Sequence, residues 1–124
     1  MKRAIILVDH GSQREEANRV VIELADRLGT AAGEPVYPCH MELAEPTISQ
    51  AVERAVADGA DFLFVFPFFL VPGRHSREDI PRMVSEAVGR HAGIRWHVDE
   101  PFGAAAEMVS MILERIGRFE SHGE

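Results

Sequence analysis

Two histidines, His10 and His75, each follow a hydrophobic run that is typical of a buried β-strand. His10 comes just after the run 4–8, and His75 follows the run 62–66 and a short loop. Glu42 follows a third strand-like segment and adds a carboxylate. Imidazole binds first-row transition metals and titrates near neutral pH, and a nearby carboxylate can accept protons. The three residues predict a site that handles a metal ion; the alternative is that each histidine only satisfies backbone groups in its loop.

Strand and helix patterns alternate four times along the chain. Predicted strands cover residues 4–9, 35–41, 61–67 and 94–99. Predicted helices cover residues 13–28, 45–59, a segment that begins between 76 and 79, and 103–117. The inward apolar stripe predicted for the last helix consists of Val109, Ile112, Leu113 and Ile116.

This alternation predicts one α/β domain over residues 1–124, with a mainly parallel four-stranded sheet between two layers of helices. A flavodoxin-like strand order, 2-1-3-4, places the first strand between the second and the third. His10 is then central, with Glu42 on one side and His75 on the other. Because ligands bind beyond the carboxyl ends of parallel strands, the three side chains are expected to converge on one crevice.

Local signals predict where the elements begin. Ser12 and Glu15 have the spacing of a capping box, which places the first helix directly after His10. Pro46 is expected in the first turn of the second helix, where proline is tolerated. Pro35 and Pro38 indicate that the second strand lies at an edge of the sheet.

Composition excludes several classes of protein. The net charge of −7 argues against broad nucleic-acid binding, which normally needs a basic patch. No apolar run approaches the roughly 18 residues that span a bilayer, and the start of the chain does not resemble a signal peptide. The single cysteine, Cys39, cannot form an intrachain disulfide. We therefore expect a cytoplasmic protein that binds neither nucleic acid nor membrane.

The basic residues are unevenly chosen. Lys2 is the only lysine among 13 basic residues, so the rest are arginine. Genomic base composition explains this bias; the functional alternative is that some arginines clamp carboxylates with two hydrogen bonds. Arg14, Arg74 and Arg77 lie near the predicted crevice and are the candidates.

Two further features bear on the site. His40 lies two residues before Glu42, so both side chains can share a strand face. It is either an auxiliary ligand or a buried structural histidine; His91 and His97 are interpreted as structural. The loop 68–73 is apolar for a connection, which predicts that a flat ligand or a partner subunit covers it.

Three long segments resemble the sirohydrochlorin chelatases, and the resemblance extends from about residue 4 to residue 117. They are Val8-Asp9-His10-Gly11-Ser12, residues 40–48 (HMELAEPTI) and residues 67–75 (PFFLVPGRH), the last continuing to Asp79-Ile80-Pro81. The first two look closer to the plant-type ferrochelatases, although the cysteines that hold an iron–sulfur cluster in those enzymes are missing.

The resemblance implies insertion of Co²⁺ or Fe²⁺ into sirohydrochlorin without ATP, in cobalamin or sirohaem biosynthesis. It implies that His10 and His75 handle the metal, that Glu42 is their acidic catalytic partner, and that the chain forms a homodimer with no permanently bound cofactor. The residues expected to bind the polycarboxylate substrate are Ser12, Arg14, Phe69, Arg74 and Arg77.

Other functions stay open. A non-enzymatic carrier of metal or tetrapyrrole would use the same ligands but would show no turnover. The segment 7–11 is similar to the histidine phosphatases, but Asp9 stands where their phosphate-binding arginine precedes the histidine. A receiver-like signalling domain would need an aspartate at the end of the third strand, where the sequence reads Phe66-Pro67.

Overall fold

The computed structural model describes residues 1–121, except for the side chain of His75, and His122 lies outside this range. The strands are β1 (Arg3–Asp9), β2 (Val36–His40), β3 (Phe62–Pro67) and β4 (Arg95–Val98). The helices are α1 (Glu15–Ala32), α2 (Ile48–Ala57), α3 (Ile80–Val88) and α4 (Ala106–Ser121), and a π-helical turn, His75–Asp79, precedes α3. The predicted alternation of strands and helices is confirmed. No helix in the described residues is long and apolar enough to cross a membrane.

The four strands form one parallel sheet in the order β2-β1-β3-β4. This confirms the predicted strand order, the central position of β1 and the edge position of β2. Alternate residues of β1 enter opposite layers of the core: Ala4, Ile6 and Val8 pack towards α2 and α3, whereas Leu7 packs towards α1. The unbroken apolar run follows because both faces of β1 are covered.

The larger core lies between the sheet and the pair α2 and α3. It contains Leu63 and Val65 of β3 together with Val52 and Val84 of the two helices. Cys39 is fully buried in the same layer. Burial raises the pKa of the Cys39 thiol, and the negative charge of nearby Asp9 acts in the same direction. The thiol therefore stays neutral in the folded protein.

The opposite face of the sheet is covered only in part. There α1 packs over β1 and β2 with Val21 and Ala25 buried. The prediction that α4 turns its apolar stripe towards the core is wrong: within 106–121 no side chain is buried. The stripe residues Val109, Ile112, Leu113 and Ile116 are each 48% to 61% exposed.

The first helix begins later than predicted, and its expected capping box is absent. The N-cap is Arg14, which makes no side-chain cap. The Ser12 hydroxyl instead accepts a hydrogen bond from the Arg14 backbone N–H at 3.0 Å. Ser12 lies too far ahead of the helix to cap it and forms a local turn in the loop.

The prediction that Pro46 opens the second helix is also wrong. The carbonyl of Pro46 accepts a hydrogen bond from the His40 N–H at 2.8 Å, which holds this segment against the end of β2. The helix begins after Thr47, whose hydroxyl accepts from the Gln50 N–H while the Gln50 side chain accepts from the Thr47 N–H. The capping box is therefore Thr47–Gln50. The Glu45–Pro46 peptide bond is cis.

Replacing Thr47 with alanine should lower the free energy of unfolding by about 1 kcal/mol, because the first turn of α2 loses a hydrogen-bonded cap. Urea unfolding of Thr47→Ala measures this loss, and Thr47→Ser, which keeps the hydroxyl, is the matched control. A Thr47→Ala protein as stable as the wild type would show that the cap contributes nothing.

Candidate functional site

The carboxyl end of β1 is fixed by hydrogen bonds that continue beyond the regular strand pairing. The Met41 N–H donates to the Asp9 carbonyl at 2.8 Å, and the Glu42 N–H donates to the His10 carbonyl at 3.1 Å. The backbone after β2 therefore runs alongside the backbone after β1. This pairing places the side chains of His10 and Glu42 next to each other at the edge of the sheet where ligands bind in α/β folds.

His10 and Glu42 form the polar centre of the site. The His10 Nε2 lies 3.0 Å from the Glu42 Oε1, and the two side chains are 45% and 51% exposed. The His10 Nδ1 lies 3.3 Å from the Gly11 carbonyl oxygen. Because a carboxylate oxygen only accepts, Nε2 carries a proton in this contact. The pair can therefore offer an imidazole to an incoming cation and pass the displaced proton to the carboxylate.

Gly11 makes this close approach possible. Its φ is +95°, and a Cβ atom there would lie 1.9 Å from the Glu42 carbonyl oxygen. Only glycine has no side chain to meet that oxygen and adopts this backbone conformation without strain. The glycine after His10 is thus needed so that the backbones of residues 11 and 42 can touch.

A second histidine–carboxylate pair lies beneath the first. Asp9 and His40 are register partners in β1 and β2, and the His40 Nδ1 lies 2.6 Å from the Asp9 Oδ1. His40 is fully buried, and its Nε2 has no hydrogen-bond partner among the described residues. Of the two interpretations of His40, the buried structural one fits this geometry. The Asp9–His40 pair was not predicted; the signal that could have found it is that both residues stand at the carboxyl ends of strands that the predicted order makes neighbours.

The apolar loop after β3 forms a wall of the site. The ring centre of Phe69 lies 6.5 Å from that of His10, with the planes 51° apart. Residues 102 and 103 donate their N–H groups to the carbonyls of Phe69 and Leu70 at 3.1 and 2.8 Å, so the segment after β4 supports the loop. Leu70 and Val71 are exposed. The loop presents apolar side chains beside the histidine–carboxylate pair.

Asn18, which the sequence did not single out, holds the loop that follows His10. Its side-chain oxygen accepts from the Ser12 N–H at 2.9 Å, and its amide donates to the Ser12 carbonyl at 2.8 Å. An asparagine early in a predicted helix that follows a functional loop is the signal that could have found it. Asn18 fixes the backbone of Ser12, while the Ser12 hydroxyl is engaged with Arg14.

The three candidate arginines lie on the surface. Arg14 and Arg77 are exposed, and the Arg74 side chain contacts Glu78 at 3.2 Å. The Arg14 guanidinium is 3.9 Å from Glu16. Exposed ion pairs of this kind are weak, so these guanidinium groups can exchange their partners for the carboxylates of a ligand.

The structure brings together His10, Glu42 and Phe69. The structure describes the backbone of His75, which begins the π-helical turn after the apolar loop, but it does not describe the His75 side chain. Among the side chains that are described, no group of three histidine, cysteine or acidic residues could hold a metal ion.

Substituting Gly11 with alanine should destabilise the protein by about 2 kcal/mol or more, because the new Cβ meets a backbone oxygen at an unfavourable φ. Thermal unfolding measures the effect. Gly73→Ala is the matched control, since a Cβ there meets nothing within 4 Å. Equal stability of the two variants would contradict the described contact between residues 11 and 42.

Comparison with known proteins finds relatives that are named as sirohydrochlorin chelatases. A family model described as CbiX matches residues 4–119. The chain is 40% identical over 121 residues to the chloroplastic sirohydrochlorin ferrochelatase of Arabidopsis thaliana, covering 97% of this chain and 54% of that protein. It is 36% identical over 89 residues to the sirohydrochlorin cobaltochelatase of Methanocaldococcus jannaschii, covering 71% and 62%. The chain spans about half the length of the ferrochelatases that it matches.

Solved structures agree with the sequence comparison. A CbiX protein of cobalamin biosynthesis from Marinobacter aquaeolei VT8 superposes with a TM-score of 0.81 at 29% identity, covering 98% of this chain and 99% of that one. SirB from Bacillus subtilis with Fe³⁺ gives a TM-score of 0.86 at 28% identity, covering 96% of this chain and 48% of that one. The chain therefore belongs to the CbiX family.

Proposed function

We propose that this chain inserts a divalent metal ion, Co²⁺ or Fe²⁺, into sirohydrochlorin without ATP, as a step of cobalamin or sirohaem biosynthesis. The observation that carries the proposal is the contact between His10 Nε2 and Glu42 Oε1 at the open carboxyl edge of the sheet. We infer the substrate from the relatives of this chain, which are named as ferrochelatases and as cobaltochelatases of sirohydrochlorin.

Proton removal is the chemistry that this pair supports. Metal insertion releases two pyrrole N–H protons for each divalent ion that enters the ring. His10 binds the metal ion through Nε2 as a neutral imidazole, once the proton on Nε2 has passed to Glu42 and while Nδ1 keeps a proton towards the Gly11 carbonyl; His75 supplies the second imidazole. Glu42 first releases the His10 proton to water, then takes up the two pyrrole protons one at a time and releases each to water, which its half-exposed carboxylate permits. The metal is a substrate here, and no permanently bound cofactor takes part.

The apolar loop binds the macrocycle in this proposal. Phe69 stands beside His10 and offers an aromatic face, and the exposed Leu70 and Val71 extend the apolar surface. A cavity that fits a distorted tetrapyrrole better than a flat one lowers the barrier to metal entry, because a distorted ring turns a nitrogen lone pair towards the metal. Ser12 lies in the loop after His10, and two hydrogen bonds from the Asn18 side chain to the Ser12 backbone fix this part of the binding surface for the macrocycle.

We propose that the chain acts as a homodimer in the cytoplasm. The exposed apolar side chains of α4 support self-association, because large exposed apolar patches mark interaction sites. A single buried, unpaired Cys39 fits a reducing compartment.

Anaerobic metallation of sirohydrochlorin with Co²⁺ and with Fe²⁺, followed by absorbance, tests the function. His10→Ala, His75→Ala and Glu42→Gln should each lower the rate by about 10²- to 10⁴-fold, the usual contribution of a positioned acid–base group. His97→Ala is the matched control, because His97 forms an exposed pair with Asp99 at 3.3 Å. Binding of metal and tetrapyrrole without turnover would contradict the enzyme and indicate a carrier.

The arginine assignment has its own test. Arg14→Ala, Arg74→Ala and Arg77→Ala should each raise the KM for sirohydrochlorin about two- to fivefold and leave kcat unchanged, as expected for exposed charge pairs worth up to about 1 kcal/mol. Arg27→Ala removes a comparable exposed arginine, paired with Glu23 on α1, and should change neither constant. If none of the three variants raises the KM, these arginines do not bind the substrate carboxylates.

A further inference from the structure

The loop that carries Glu42 leaves the sheet at His40 and returns to the same residue. The regular pairing of β1 and β2 ends with the register partners Asp9 and His40. The His40 N–H then donates to the carbonyl of Pro46 at 2.8 Å. His40 is therefore the residue at which residues 41–46 are closed into a loop.

Beyond the Asp9–His40 register pair, the backbone departs from the hydrogen-bond pattern of the sheet. In a regular parallel pair, only every second residue of a strand bonds to the same neighbour. Here the carbonyl of His10 accepts from the Glu42 N–H, although the preceding carbonyl, that of Asp9, already bonds to the same segment. Regular strand pairing therefore does not set where Glu42 lies relative to His10, and contacts at the strand ends must do so.

The side chains of Asp9 and His40 make such a contact. The His40 Nδ1 donates to the Asp9 Oδ1 at 2.6 Å, because a carboxylate oxygen only accepts. The His40 side chain is fully buried and that of Asp9 is 17% exposed, so little water competes for this bond. A Cβ atom at residue 11 would lie 3.1 Å from the His40 Cβ, which places His40 directly against the turn after His10. The buried pair thus adjoins both backbone segments of the exposed pair.

Packing alone does not explain this buried pair. The His40 Nε2 is buried and has no hydrogen-bond partner among the residues that the structure describes. An unpaired buried nitrogen lowers stability, and apolar side chains of similar volume are often at least as stable as a buried charged pair. A side-chain hydrogen bond, in contrast, fixes a distance and a direction. These properties indicate that Asp9 and His40 control geometry.

We propose that Asp9 and His40 are positioning residues for the metallation reaction. Their hydrogen bond holds the loop 41–46 at the place where Glu42 reaches His10. Neither Asp9 nor His40 touches the metal or the tetrapyrrole in this role. Residues that orient a metal-handling side chain typically contribute about 10- to 100-fold to metal affinity or activity. The inference rests on the proposed function, because it assigns both residues to that reaction.

The kinetics of anaerobic metallation with Co²⁺ test this role. Asp9→Ala removes the acceptor and should lower kcat about 10- to 100-fold, while the KM for sirohydrochlorin stays unchanged. Asp9→Asn keeps an oxygen that accepts from His40 and should restore most of kcat. Tyr37→Phe is the matched control, because it removes a side-chain hydrogen bond of the same 2.6 Å length at the other end of β2. This control should change neither constant.

Three kinetic results would overturn the positioning role. They are an Asp9→Ala protein with the wild-type kcat, a loss that falls on KM instead, and an Asp9→Asn protein as slow as Asp9→Ala. The last result would mean that the charge of Asp9 matters and its hydrogen bond does not. If Asp9→Ala does not fold, Asp9→Ala/His40→Leu replaces it, because the double variant leaves no member of the pair without its partner. The same loss of kcat is expected.

A measurement without substrate separates this inference from the proposed function. Long-range ¹H–¹⁵N spectra of the imidazole rings report on the Nε2 of His10, and Glu42→Ala defines its signal without the Glu42 contact. Asp9→Ala should move the His10 signal towards that reference, and Tyr37→Phe should leave it at the wild-type position. An unchanged His10 signal in Asp9→Ala would overturn the positioning role. A wild type that shows no turnover, in a protein where Asp9→Ala still moves the signal, would overturn the chelatase function alone.

Discussion

The pairing of two backbone segments beyond the ends of β1 and β2 is the constraint on which the site depends. Hydrogen bonds from Met41 and Glu42 to the carbonyls of Asp9 and His10 bring the segments side by side. The absence of a side chain at Gly11 lets them touch. This backbone contact sets an imidazole and a carboxylate 3.0 Å apart on residues that are distant in the sequence.

The rest of the fold supports that contact from three directions. Below it, the buried Asp9–His40 pair joins the ends of β1 and β2 by their side chains. On the α1 side, Asn18 fixes the loop that follows. On the β3 side, Phe69 stands against His10. The base of the site is therefore held by several contacts while its outer side is open to water, which fits the proposed exchange of protons with water and the proposed binding of a large flat ligand.

Much of this arrangement could be predicted from the sequence, because the alternation of patterns and the rule for crossovers leave few topologies. Those rules place His10 and Glu42 at one edge of the sheet. The first residues of the helices were harder to predict from the sequence. Ser12 is a residue type that often caps a helix, but its hydroxyl accepts a hydrogen bond within a local turn. Pro46 is a residue type that often begins a helix, but its carbonyl is hydrogen-bonded to the end of β2. The stripe of α4 shows a further limit, since helical periodicity identifies an apolar face but does not say which surface covers it.

Anomalous diffraction from crystals of this protein soaked anaerobically with Co²⁺ tests the proposed role of His10 and Glu42 most directly. The proposal requires a cobalt peak at a nitrogen of His10, at a bond length of about 2.1 Å, with Glu42 beside it and His75 as the second imidazole ligand. The proposed role would be contradicted if cobalt bound only elsewhere, for example at the exposed His97–Asp99 pair, while His10 stayed hydrogen-bonded to Glu42.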